Sequence, residues 1–197
     1  MIRKLTLAVA AAPLATPAFA HLPPGEYGSF AAGFSHPLFG LDHVLAMVAV
    51  GLWAAQIGGR ALWAVPAAFV LTMAGGYGMA LAGAPLPFVE PMILASVVAL
   101  GLLVALAVRP HAALGALVVG TFALFHGHAH GGELGAAGVV PFGVGFALAT
   151  ALLHGAGVAL GMGIGSTRLG LGSRVGDTIA RASGAAAAAA GLLLMAG

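Results

Sequence analysis

Beyond its first twenty residues the chain alternates between long apolar runs and very short polar breaks. Six runs stand out, at 41–58, 61–83, 88–108, 112–130, 139–164 and 177–196. A helix crossing a bilayer needs about 20 apolar residues at about 1.5 Å each. The breaks are "GGR" at 58–60, "APLP" at 84–87, "RPH" at 109–111, "GGELGAAG" at 131–138 and "STRLGLGSR" at 166–174. The pattern predicts an all-α membrane protein: one compact domain over 21–197, built as a Gly/Ala-rich bundle of six transmembrane helices.

The first stretch reads differently. Arg3 and Lys4 precede a short apolar core, and Ala18-Phe19-Ala20 supplies a small-x-small cleavage pattern. Residues 1–20 are therefore expected to be a cleavable signal peptide; an uncleaved first helix is the alternative, which Pro13 and Pro17 disfavour. Cleavage would leave His21 as a periplasmic N-terminus, whose amine and imidazole could chelate a metal. The expected location is a bacterial inner membrane, with several passes.

Composition narrows the class further. The chain is 61% hydrophobic and 6% charged, whereas ordinary soluble domains carry about 25% charged residues. Seven basic residues imply no nucleic-acid partner, and the bilayer is the expected surround. There is no cysteine, which removes disulfides, thiolate metal sites and iron–sulfur clusters. The positions of the basic residues matter more than their sum. With the mature terminus outside, Arg60, Arg109, Arg168 and Arg174 all fall in cytoplasmic segments, while 21–40, 84–87 and 131–138 contain no Lys or Arg. This is the positive-inside bias. Glycines spaced by four, at Gly127 and Gly131 and at Gly157, Gly161 and Gly165, mark faces where helices are expected to pack closely.

So few ionisable residues remain that each can be weighed. His36, Asp42 and His43 open the first span; His126, His128, His130 and Glu133 crowd the end of the fourth in "FHGHAHGGE". Both groups fall on the periplasmic side. On a helix His126, His130 and Glu133 share one face, and His128 points nearly the other way. Pro37 biases His36 to an extended backbone, so "HPLFGLDH" is expected to be a loop over the helix mouth. Asp42 and His43 lie about 100° apart on a helix, so one could bind an ion while the other positions it. His154 stands alone deep in the fifth span, Glu90 lies at a boundary, and His111 reads as solvated.

Imidazoles and carboxylates without thiolates suit divalent Ni, Co, Zn, Cu or Fe. Proton relays and plain interhelical hydrogen bonds use the same residues. Met47, Met73, Met79 and Met162 could mark a copper(I) route, although Met is an ordinary core filler.

The run His36-Pro37-x-x-Gly40-x-Asp42-His43-x-x-x-Met47-x-x-Val50-Gly51 resembles the signature of the HupE/UreJ proteins, small bacterial nickel/cobalt permeases with a signal peptide and about six spans. "FHGHAHGGE" resembles that family's second histidine-rich motif, at His126, His128, His130 and Glu133. The likeness runs along essentially the whole chain and implies uptake of Ni2+ or Co2+ recognised by these residues. A weaker likeness to the larger nickel/cobalt transporters stops at spacing: four residues separate His from Asp-His there, and five separate them here.

The expected function is thus an inner-membrane permease and not an enzyme. Its ligands would be His36, Asp42, His43, His126, His128, His130 and Glu133, with His154 as a deeper relay. No permanent cofactor is expected; the divalent metal ion is substrate. No phosphate-binding Walker pattern exists, and Lys4 is the sole lysine, so no ATP hydrolysis and no ATPase partner is evident. The working unit would be the single chain or a homo-oligomer. Two rivals use the same residues: a membrane metalloenzyme that activates water, and a metal-sensing accessory subunit.

Overall fold

The computed structural model describes residues 29–131, 138–165 and 173–196. Among these the chain is entirely helical: α1 Phe30–Phe39, α2 Leu41–Ile57, α3 Ala61–Leu81, α4 Val89–Ala105, α5 Ala112–Gly131, α6 Val139–Gly165 and α7 Ser173–Ala196. Four helices (α3, α5, α6 and α7) are long and apolar enough to cross a membrane. The pair α1 and α2 passes the same test together but is bent by 82° at its junction. The apolar α4 is shorter, at 17 residues. Large apolar side chains face outward all along the bundle, among them Leu71, Leu117, Val140, Leu152 and Leu193. The chain is a multi-pass helical membrane protein. Residues 1–28, with the signal-peptide stretch and His21, and 132–137, with Glu133, lie outside the described residues.

Segment 36–43 departs from expectation. His36 and Pro37 are not in a loop but inside α1, which opens on Ser29 with the hydroxyl accepting from Ala32 N at 2.9 Å. The local bias against a helical residue before proline is overridden by packing. Ala32, Gly33 and Pro37 are buried, and α1 seats on α6 so closely that a Cβ on Gly33 would overlap the Phe142 carbonyl. The chain leaves helical geometry only at Gly40 (φ −80°, ψ 112°), where α2 starts.

The helices pair as α3 with α5, α4 with α7, and α2 and α1 with α6. These contacts are made by backbone against backbone. A Cβ on Gly127 of α5 would strike the Met73 carbonyl of α3, and one on Gly157 of α6 would strike the Val48 carbonyl of α2. Without a hydrophobic force between helices in lipid, such close approach supplies the dispersion contact that holds them.

The two ends of the bundle differ. At one end α2 and α4 finish together: Trp53 Nε1 donates to Val108 O at 2.7 Å and Gln56 Nε2 to Val104 O at 3.1 Å. The start of α7 joins them, with Arg181 Nε donating to Ala105 O at 2.8 Å and Arg109 facing Asp177 at 3.9 Å. Arg60, in the α2–α3 turn, belongs to this end. At the other end α3 meets the start of α6, where the Tyr77 hydroxyl donates to Val139 O at 2.8 Å. The end of α5 and the start of α2 lie there too, joined by the contact of His43 with His130.

Candidate metal site

That second, arginine-poor end carries the imidazoles. His36 arrives on α1, His43 on the first turn of α2 and His130 on the last turn of α5. Each offers one ring nitrogen, and the three nitrogens lie within 4.8 Å of one another. Nitrogens bound to one first-row dication at about 2.1 Å lie about 3–3.5 Å apart, so small ring movements suffice. His43 and His130 are buried and His36 is half-buried. Phe146 of α6 walls the group, 4.8 Å from the His130 ring and 6.0 Å from the His36 ring.

Hydrogen bonds set which nitrogen of each ring is available. Asp42 Oδ1 lies 2.9 Å from His43 Nδ1. An ionised carboxylate can only accept, so Nδ1 carries the proton and His43 Nε2 presents a lone pair. That lone pair faces His130 Nε2 at 2.8 Å, which must then be the donor. Asp42 thus orients an imidazole at the mouth, and its side chain is 26% exposed.

His126 sits one turn further into α5, its ring 5.3 Å from that of His43 and edge-on to it. It is fully buried. Its Nε2 meets Ser96 Oγ of α4 at 3.0 Å, while Ser96 donates its one proton to Ile93 O at 2.6 Å. His154 is fully buried as well, against the edge of Phe69 at 4.8 Å. His128 faces elsewhere, with Nε2 donating to Ala84 O at 2.8 Å in the α3–α4 link. Glu90 is exposed at the start of α4, and His111 accepts from Leu114 N at 3.2 Å, capping α5. The methionines do not gather: Met47 and Met73 are buried, Met79 and Met162 exposed.

Sequence reading groups His126 with His130 from the helix face alone; Ser96 divides them. A serine inside the apolar run "MILASVVALG" is the signal that could have found it. Phe146, Thr150 and His154 likewise follow at steps of four on α6.

The family profile described as "HupE / UreJ protein" matches residues 8–194. The chain is 47% identical to a protein named "Protein HupE" of Rhizobium leguminosarum bv. viciae, over 98% of both chains. No solved structure matches.

Proposed function

The chain belongs to the HupE/UreJ family, and from that premise we propose that it is an inner-membrane permease taking up Ni2+ or Co2+ from the periplasm. The observation that supports this most is the meeting of His36, His43 and His130, brought from three helices to one end of an apolar bundle. Neutral imidazoles with an attendant carboxylate suit these dications. The arginine-rich end is the cytoplasmic one on the positive-inside rule, which puts the cluster on the periplasmic face.

Capture proceeds by exchange of partners. The ion replaces the proton between His43 and His130: His43 Nε2 already holds a lone pair, and His130 must move its Nε2 proton to Nδ1 or turn its ring. His36 adds the third nitrogen. Asp42 contributes negative charge beside the ion while keeping the His43 tautomer fixed. Glu133 and His128 complete the motif in sequence; His128 instead steadies the α3–α4 link. Uptake needs no nucleotide. A membrane potential of about 100 mV contributes about 2.3 kcal/mol per charge, hence about 4.6 kcal/mol for a dication. That sustains a concentration ratio above about a thousandfold.

The test is reconstitution of the purified chain in liposomes carrying an inside-negative potential, with radiolabelled Ni2+ and Co2+ outside. We expect accumulation by the native chain and none by a variant with both Asp42 and His43 replaced by Ala. Uptake surviving that double replacement sinks the reading. Hydrolytic activity without uptake would point to the metalloenzyme alternative.

A further inference from the structure

Among the described residues, three buried imidazole nitrogens have no hydrogen-bonding partner: His126 Nδ1 and both nitrogens of His154. Buried polar groups are normally paired, so each such atom asks for a reason. The two rings flank one side chain, Phe69, with centroids 5.5 Å and 4.8 Å from it. They lie inward of the mouth cluster. His126 is one turn further in than His130, and His154 is eight residues beyond Phe146 on α6, about 12 Å along the axis.

The state of His126 is fixed by its neighbours. Ser96 has a single proton and gives it to Ile93 O, so toward His126 the hydroxyl can only accept. His126 Nε2 therefore carries the ring proton, and Nδ1 is a bare lone pair inside the bundle. Thr150, one turn before His154 on α6, donates to Met73 Sδ of α3 at 3.7 Å, so the neighbouring polar groups are soft or neutral. Met73 itself is one turn from Phe69 on α3. No carboxylate among the described residues lies in this group, so nothing there holds a dication as Asp42 does at the mouth.

We propose that His126 and His154 form an inner relay station for the transported dication, with Ser96 as the positioning residue that keeps His126 Nδ1 free to accept it. This rests on the uptake reading and deepens it. The ion is taken from the mouth cluster by His126 and passed beyond Phe69 to His154. Neutral donors bind it more weakly than the mouth, which suits a station that must release. Capture and relay are then separable: damage to the station slows flux and leaves capture intact.

The experiment uses the full chain in two preparations, with Ni2+ and Co2+ tried in turn and the one that the native chain accumulates kept as the probe. Equilibrium binding is measured in detergent, and uptake in liposomes with an imposed potential. His154→Ala and His154→Phe, the latter keeping an aromatic ring in place, should each bind that ion within about twofold of the native chain yet take it up at least about tenfold more slowly. Ser96→Ala should lower the maximal uptake rate about tenfold with an unchanged half-saturating concentration, and Ser96→Thr should restore it. Native rates in His154→Phe, or loss of binding in step with uptake in both His154 variants, overturn the station. A rise in half-saturating concentration without a change in rate moves Ser96 to capture and overturns its assignment here. A native chain that accumulates neither Ni2+ nor Co2+ above protein-free liposomes refutes the uptake reading itself, an outcome distinct from any behaviour of His154.

Discussion

The imidazoles at the mouth and those in the interior rest in opposite ways. At the mouth Asp42, His43 and His130 satisfy one another in a chain of two short hydrogen bonds. In the interior three ring nitrogens have no hydrogen-bonding partner among the described residues. A buried polar group without a partner costs about 1–3 kcal/mol, which the mouth avoids. The difference teaches where each region is specialised. A cluster that completes its own hydrogen bonds is stable empty, but an ion must displace a proton to bind. A pair left bare is costly empty and offers lone pairs at once.

The contrast can be attacked first at its strongest point. His43 is shared by Asp42 and His130 and lies beside His126, so His43→Ala should reduce uptake to background. Affinity for Ni2+ should fall about 100-fold or more by equilibrium dialysis. Asp42→Asn keeps an acceptor for His43 Nδ1 and loses only the charge, so a smaller loss of about tenfold in affinity is expected. A native affinity in that variant would leave the mouth no advantage over the neutral interior. The exchange of partners has its own signature. With Zn2+ as a diamagnetic probe, nitrogen chemical shifts of labelled His130 should move from the Nε2–H to the Nδ1–H form on binding, while His126 keeps its Nε2–H. Because proton and ion compete for the same lone pairs, acidification should weaken Co2+ binding; a pH-independent affinity would break the exchange picture. The smallest effect belongs to His128→Ala. Losing the bond to Ala84 should cost about 1 kcal/mol of stability in a thermal melt. Uptake should stay within about twofold, because the ring is outside both groups.

Hydropathy marks the described helices, which begin and end near the short polar breaks because lipid demands unbroken apolar runs. Of the six expected spans, however, four are long and apolar enough to cross, or five with α1 and α2 taken as one. Hydropathy hides α1. "FAAGFSHPLF" contains a proline and is only ten residues long, and its helicity comes from seating on α6, which no local rule reports. The site is legible in the same uneven way. A helix face foretells that His126 and His130 point inward together, whereas Asp42 and His43, about 100° apart on a helix, are read there only as one binding while the other positions it. The partner that His126 meets is Ser96, thirty residues away in sequence. A single hydroxyl with its one proton spent elsewhere is a tertiary fact. Glu133 lies outside the described residues, and its part in the motif is a reading of the sequence.

The bend at Gly40 has a consequence for how the mouth lets go. Two of its three nitrogens are fixed on long helices, while the third rides on a ten-residue helix joined through one extended residue. The proposed set of ligands is therefore divisible into two and one. A pivot of α1 about Gly40 would withdraw His36 alone, and it would have to break the close seating of Gly33 on Phe142 of α6. If the mouth holds a dication as proposed, it would surrender the ion one bond at a time, with a residence set by how firmly ten residues sit on α6.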